Sequence, residues 1–272
     1  MIKLIASDID GTLVENSTAV LHSEMFDLIK KLKQKGILFC AASGRQYQSI
    51  ANMFEPVKDD IIFLAENGAH IRYQGKDISL IEMQREHIVD IVHTIRKENV
   101  HGDYIVSTND GSIMDTKNQE FIDLIQYGYR NKFRLVEDVL NEDVPIIKIA
   151  AYQKNSIREL GESLLIPAFS NKVKATMAGE EWVDYMHASV DKGDALQTIQ
   201  KYFNITKEET IAFGDNSNDI GLLNAAGRGF AVENAIDEVK AKATDICPSY
   251  EKKGVYHTIR KLVFGENTDG IV

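Results

Sequence analysis

Two aspartates, Asp8 and Asp10, follow a short apolar segment near the start of the chain. The segment, residues 4–6, has the composition of a buried strand. Two carboxylates at the end of a core strand lose hydration and repel each other, so they are costly unless a cation neutralises them. Side chains alternate along extended backbone, so both carboxylates point the same way and can face one bound group.

Other polar residues fall at the ends of further predicted strands. Apolar strands alternate with amphipathic helices in the first and last parts of the chain, which is typical of a parallel sheet with helices on both faces. Ligands of such sheets bind beyond the carboxyl ends of the strands. The polar or glycine residues at strand ends or helix starts, besides the first two aspartates, are Ser43, Gly44, Arg45, Lys192, Gly214, Asp215, Asn218 and Asp219.

Three of the acids are candidates for a metal site. Asp8, Asp10 and Asp215 offer hard oxygen ligands, and no histidine or cysteine lies near them in the sequence. Such a donor set favours Mg²⁺ over zinc.

The remaining groups favour an anion beside that metal. Ser43 can donate a hydrogen bond, Lys192 carries a mobile positive charge, and N–H groups at a helix start can cradle a phosphate. A metal, a lysine and amide donors around one anion are typical of phosphoryl transfer. The sequence has no Walker-type glycine loop, which argues against a nucleoside triphosphatase of that kind.

Composition narrows the class of partner. The net charge of −10 argues against nucleic acid or an anionic membrane as the main partner, but it allows a small anionic ligand. The two cysteines fit a reducing compartment, and no apolar stretch is long enough to cross a membrane. We therefore expect a cytoplasmic protein.

The middle of the chain has a different pattern. A helix at 86–99 is followed by a predicted hairpin around Asp110 and Gly111 and by further short strands. From Ser43 to Lys192 is 192 − 43 = 149 residues, more than a few strand–helix units need. We expect a doubly wound α/β core of residues 1–82 and 186–272, interrupted by an α+β domain of residues 83–185.

Four segments together resemble a known family. They are "DIDGT" at 8–12, "SGR" at 43–45, "DKG" at 191–193 and "GDNSND" at 214–219. In this order they are similar to the four motifs of the haloacid dehalogenase superfamily of phosphatases. "ENGA" at 66–69 resembles the segment that precedes a large α/β cap in the Cof-type branch.

The resemblance implies a mechanism and a cofactor. Asp8 would attack phosphorus and form an aspartyl-phosphate, and Asp10 would act as general acid and then as general base. Mg²⁺ would be held by the Asp8 side chain, the Asp10 carbonyl oxygen and Asp215. The substrate would be a small phosphorylated metabolite of the sugar phosphate, flavin mononucleotide or pyridoxal phosphate class.

The same resemblance implies binding and supporting roles. Contacts to the phosphoryl group would come from the Ile9 backbone N–H, Ser43, the Gly44 amide, Lys192 and Asn218. Asp219 would orient Lys192.

Several alternatives stay open at this stage. Relatives with similar caps include phosphomutases, and a non-catalytic phosphometabolite-binding protein could use the same scaffold. Removal of halide from carbon needs neither the metal set nor Asp10, so it ranks below these. Arg45 fits a surface ion pair as well as a substrate contact. Glu233 stands where the family usually has glycine.

Overall fold

The chain forms two compact units. The computed structural model describes residues 1–16, 20–99 and 101–266. The core unit consists of Met1–Ser79 and Asp191–Val272, and the inserted unit is Leu80–Val190. The expected boundaries at 82/83 and 185/186 lie a few residues from these, and the assignment of functional domains to them stays a prediction.

The strands and helices have the following bounds. The strands are β1 (Leu4–Asp8), β2 (Leu38–Ala42), β3 (Ile62–Ala65), β4 (His70–Tyr73), β5 (Lys76–Leu80), β6 (Asp103–Thr108), β7 (Gly111–Met114), β8 (Phe133–Leu135), β9 (Ile146–Tyr152), β10 (Val173–Met177), β11 (Trp182–His187), β12 (Thr210–Gly214), β13 (Arg228–Val232) and β14 (Asp245–Cys247). The helices are α1 (Ser23–Gln34), α2 (Tyr47–Met53), α3 (Arg85–Glu98), α4 (Gln119–Asp123), α5 (Arg158–Leu160), α6 (Lys192–Phe203), α7 (Ile220–Ala225), α8 (Asp237–Lys242) and α9 (Gly254–Phe264). Single π-helical turns, Leu124–Gly128 and Gly161–Leu165, continue α4 and α5.

The core unit is built on one large sheet. Its strand order is β14-β13-β12-β1-β2-β3-β4-β5. The pairs from β14 to β3 are parallel, and β4 runs antiparallel to β3. Every residue of β1 is buried, as expected for a central strand covered on both faces. The carboxyl ends of β12, β1 and β2 are therefore neighbours, which brings the motif loops together.

The inserted unit has a sheet of a different kind. Its order is β10-β11-β9-β6-β7-β8, and its pairs are antiparallel except for the parallel pair β7–β8. The predicted hairpin is present, with Thr108 opposite Gly111. The apolar face of α3 packs into one core cluster with residues of β6, β9 and β11.

The predicted fold class is confirmed: an α/β core of doubly wound type with an inserted α+β unit. The edge hairpin of β4 and β5 was not anticipated. No helix among the described residues has the length and apolarity needed to cross a membrane.

Candidate active site

The turn after β1 brings Asp215 next to the first motif. Gly11 has a φ of +80°, and a Cβ at this position would lie 2.3 Å from Asp215 Oδ2. Only glycine satisfies both the backbone conformation and the close approach. The next residue, Thr12, donates from Oγ1 to Asp215 Oδ1 at 3.0 Å. The loop therefore binds Oδ1 of Asp215 through Thr12 and allows Oδ2 to pack against the backbone at Gly11.

Lys192 lies at the centre of the site. It is the first residue of α6, whose N-cap Asp191 accepts hydrogen bonds from the backbone N–H of Gly193 and Asp194. The Lys192 Nζ donates to Asp8 Oδ1 at 2.6 Å and to Asp219 Oδ1 at 2.6 Å. The side chain of Lys192 is fully buried, and that of Asp219 is too. One ammonium thus bridges two motif carboxylates.

The loop after β12 fixes Asp219. Asp219 Oδ2 accepts from the backbone N–H of Asp215 and of Asn216, each at 3.1 Å. A Cβ on Gly214 would lie 2.4 Å from the Asp219 Cβ, so the loop folds back closely on the end of its own strand. Both oxygens of Asp219 are engaged by protein donors. Its contact to Lys192 is the one that the expected orienting role requires, and the role itself stays a prediction.

Burial and repulsion shift the titration of the cluster. Burial, and next to it the negative charge of Asp219, raises the pKa of Asp8 well above its ordinary value. The same two causes raise the pKa of Asp215 to about 6. Burial lowers the pKa of the Lys192 ammonium, but Asp219 and Asp8 outweigh burial and raise that pKa above its ordinary range. The lysine is therefore charged at neutral pH, and it is a single positive charge beside three carboxylates, those of Asp8, Asp215 and Asp219.

The donor set fits a hard divalent cation. Carboxylate oxygens of Asp8, Asp215 and Asp219 lie within 4.8 Å of one another. Because Asp219 is engaged by Lys192 and two amides, Asp8 and Asp215 are the side chains suited to bind an ion. Three carboxylates face one ammonium, so a cation such as Mg²⁺ would relieve the repulsion that helps to raise the pKa values of Asp8 and Asp215.

Asp10 is held on a different partner. Arg45 donates from Nε to Asp10 Oδ2 at 2.8 Å and from Nη2 to Asp10 Oδ1 at 2.5 Å. Both oxygens of the Asp10 carboxylate thus accept hydrogen bonds from the Arg45 guanidinium. The group of Asp10 that the resemblance assigns to the metal is its backbone carbonyl oxygen. Sequence reasoning left Arg45 undecided, and its position directly after Ser43 and Gly44 was the available signal.

Ser43 and Gly44 lie at the end of β2, beside a loop that sequence reasoning did not include in the site. Ser43 is buried, and its Oγ accepts from the backbone N–H of Arg45 at 3.1 Å. A Cβ on Gly44 would lie 3.2 Å from the side-chain amide of Asn67. The predicted phosphoryl contacts of Ser43 and Gly44 stay predictions.

Asn67 connects two of the motif loops. Its backbone N–H donates to the Ser43 carbonyl at 2.9 Å, and its Oδ1 accepts from Asn218 Nδ2 at 3.0 Å. Glu66, Asn67 and Gly68 have φ values of 50°, 56° and 105°, a run in the left-handed region. Asparagine and glycine tolerate that region, so the "NG" pair in "ENGA" was the signal for such a turn. Strained backbone of this kind is concentrated at functional sites.

Ile9 and Glu233 are the two remaining residues that the sequence analysis singled out. The side chain of Ile9 is fully buried in the core, away from solvent. Glu233 is not among the residues with positive φ, so its backbone makes no demand for the glycine usual in the family. Its carboxylate accepts from the Ser249 backbone N–H at 3.3 Å and lies 3.4 Å from Lys252 Nζ. The departure at 233 therefore adds a local contact without straining the backbone.

Comparison with known proteins identifies a family and several relatives of this chain. The family model described as haloacid dehalogenase-like hydrolase matches residues 5–259. The 5-amino-6-(5-phospho-D-ribitylamino)uracil phosphatase YbjI of Escherichia coli is 27% identical over 263 residues, which are 96% of each chain. The Bacillus subtilis phosphatase YwtE, named for the same compound, is 28% identical over 97% of this chain and 99% of its own. A solved structure from Eubacterium rectale has 32% identity and a TM-score of 0.88, and covers 96% of this chain and 99% of that one.

The family match spans nearly the whole chain and includes all four motifs, three of which meet at Lys192. The chain is an enzyme that belongs to the haloacid dehalogenase-like hydrolase family.

Proposed function

We propose that this enzyme is a Mg²⁺-dependent phosphatase that hydrolyses small phosphorylated metabolites through an aspartyl-phosphate on Asp8. The observation that carries the proposal is the 2.6 Å bond from the buried Lys192 Nζ to Asp8 Oδ1. It holds one oxygen of a carboxylate that has little contact with water, and a desolvated, oriented carboxylate is prepared to attack phosphorus. If Lys192 only stabilised the fold, the presence of a second acid, Asp10, two residues after Asp8 would have no explanation.

The names of the relatives support a substrate class. YbjI and YwtE are named as phosphatases of a uracil derivative that carries a phosphorylated ribityl chain. We expect this enzyme to act on phosphate esters of primary alcohols, a class that includes sugar phosphates, flavin mononucleotide and pyridoxal phosphate.

Three groups would hold the metal: the Asp8 carboxylate, the Asp10 carbonyl oxygen and the Asp215 carboxylate. When bound, Mg²⁺ supplies positive charge that offsets the repulsion between a carboxylate and the phosphoryl oxygens. Lys192 supplies a second positive charge from the protein.

In the first half-reaction, an Asp8 oxygen attacks phosphorus. The bond between phosphorus and the ester oxygen breaks, and its electron pair goes to that oxygen. Asp10 in its acid form donates a proton to the oxygen, and the alcohol leaves. The phosphoryl group would be bound by Ser43, the Gly44 and Ile9 amides, Lys192 and Asn218.

In the second half-reaction, water attacks the phosphorus of the aspartyl-phosphate. Asp10, now a carboxylate, accepts a proton from that water, and the bond from phosphorus to Asp8 breaks. Inorganic phosphate leaves, and both aspartates return to their starting forms. A phosphomutase would instead have to protect the intermediate from water, and a binding protein would need neither aspartate.

The experiment is an assay of phosphate release from a panel of phosphorylated metabolites with Mg²⁺. Asp8→Asn keeps the shape of the side chain but removes the attacking oxygen, so turnover should fall by at least about 10³-fold. Asp27→Asn, which changes an exposed aspartate of α1, is the matched control and should behave like the wild type. A chelator should abolish turnover, Mg²⁺ should restore it, and Ca²⁺ should replace Mg²⁺ poorly because it takes more ligands at longer distances.

Undiminished phosphate release by Asp8→Asn would exclude the mechanism. Full activity in chelator would exclude the metal.

A further inference from the structure

Arg45 and Asp10 form a bidentate ion pair, in which the guanidinium acts as a two-pronged fork. Two guanidinium nitrogens reach the two oxygens of one carboxylate, Nε to Oδ2 at 2.8 Å and Nη2 to Oδ1 at 2.5 Å. Such a bidentate contact sets both the position and the plane of the carboxylate. The side chains are 20% and 29% exposed, so the pair is reachable by a ligand and still shielded from bulk water.

The backbone of Arg45 is anchored on both sides. Its N–H donates to Ser43 Oγ at 3.1 Å, and its carbonyl accepts from the Glu66 N–H at 3.0 Å. Most surface ion pairs contribute little because two flexible chains must be ordered to form them. Here the arginine starts from a fixed backbone, so little further ordering is needed.

Resting on the proposed phosphatase function, we propose that Arg45 is a positioning residue for Asp10. Its fork holds the carboxyl group in the one orientation that can exchange a proton with the leaving oxygen and later with water. Each carboxylate oxygen has a second lone pair, so the fork leaves Asp10 able to take part in proton transfer. A proton must be delivered within about 2.6–3.2 Å, so a rotation of the Asp10 side chain would break the contact.

The two tasks of Asp10 give this role a distinct kinetic signature. Departure of the alcohol needs a well-placed acid when the leaving group is basic and needs it little when the leaving group is weakly basic. Hydrolysis of the aspartyl-phosphate is the same reaction for every substrate. When Asp10 is no longer oriented, the loss of rate in the first half-reaction should therefore depend on the leaving group. The loss of rate in the second half-reaction should be the same for every substrate.

The experiment compares two substrates of similar size, 4-nitrophenyl phosphate and 4-methoxyphenyl phosphate, with the Mg²⁺-loaded enzyme. For Arg45→Met, kcat/KM should fall roughly 10–100-fold with the methoxyphenyl ester and less than about 3-fold with the nitrophenyl ester. With the nitrophenyl ester, kcat and KM should fall together, and a burst of 4-nitrophenol should appear, because hydrolysis of the intermediate becomes the slow step.

Two controls separate the possible causes. Arg45→Lys keeps the charge and the apolar stem but cannot make two parallel bonds, so it should show the same dependence on the leaving group, and it serves if Arg45→Met does not fold. Asp10→Asn should show the dependence more strongly. Added guanidinium ion should restore part of the lost activity of Arg45→Met.

An equal loss with both esters and a raised KM would overturn the proposal, because Arg45 would then contact the phosphoryl group. Unchanged kinetics would overturn it as well. If neither the wild type nor Asp8→Asn releases phosphate from either ester, the proposed function itself fails. That result is distinct from the two results that would overturn the role of Arg45.

Discussion

Both units bury charged side chains, but the arrangement of charge differs between them. In the inserted unit, Lys148 Nζ lies 3.2 Å from Asp184 Oδ2, so a buried ammonium contacts a buried carboxylate. In the core unit, the single ammonium of Lys192 meets Asp8 and Asp219, and a third carboxylate, that of Asp215, lies close by. A buried contact between one ammonium and one carboxylate is compatible with packing alone. An excess of buried negative charge costs stability, and it is explained by a reaction that uses the charge.

The largest effect should come from removing the central ammonium. Lys192→Met leaves buried carboxylates without their counter-charge, so the metal-free protein should lose about 3–5 kcal/mol of unfolding free energy. Turnover should fall by at least about 10²-fold, since the positive charge that we propose Lys192 supplies to the phosphoryl group is lost. Denaturant melts in chelator and phosphate-release assays measure the two quantities.

The matched change in the inserted unit should cost less. Lys148→Met leaves the Asp184 carboxylate without this partner. The double variant Lys148→Met/Asp184→Leu removes both charges of the pair, so its unfolding free energy should return to within about 1–2 kcal/mol of the wild type. No such apolar replacement in the core cluster should preserve turnover. Equal losses for Lys148→Met and Lys192→Met would remove the contrast between the two clusters.

A smaller effect should appear in the pH dependence of stability. The pKa of Asp215 is about 6 in the folded chain and 3.8 ordinarily, so between these values the folded state binds more protons than the unfolded state. Stability in chelator should therefore fall as the pH rises from about 4 to about 7, and Asp8 contributes in the same direction.

Asp215→Asn should remove about 1–2 kcal/mol of that fall, after allowance for partial solvent exposure. Denaturant melts of both proteins at a series of pH values give the difference. Saturating Mg²⁺ should flatten the wild-type curve, because the bound cation replaces the proton. A fall of the same size in both proteins without metal would contradict the assigned pKa.

The smallest effect concerns Asn67, where two variants distinguish backbone strain from loss of the hydrogen bond to Asn218. Asn67→Gly keeps the left-handed backbone and loses the bond to Asn218, whereas Asn67→Ala loses the bond and also strains the turn. The alanine variant should be less stable than the glycine variant by about 1 kcal/mol in denaturant melts. Both should raise KM by a similar factor, roughly 3–10-fold, the value of one hydrogen bond. If KM followed stability instead, Asn67 would have no role in the site beyond its turn.

Much of the fold could be predicted from local pattern. The apolar runs of β1, β2, β3 and β12, and the spacing of the buried face of α3, are visible in the sequence because a strand or helix shows its period over a few residues. The hairpin of β4 and β5 was not predicted. These strands are short, and no residue of β5 is buried, so neither carries a strong apolar signal.

The sequence by itself determined the chemical types at the site, their order along the chain and the loops that present them. Only the tertiary structure decided the pairing. Lys192 reaches Asp8 across 184 positions of sequence and Asp219 across 27, and it does so because β1 lies beside β12 in the sheet. Arg45 reaches Asp10 because β2 lies on the other side of β1. Local spacing defines where each side chain leaves its strand, whereas strand order, set by burial of both sheet faces, defines which side chains meet.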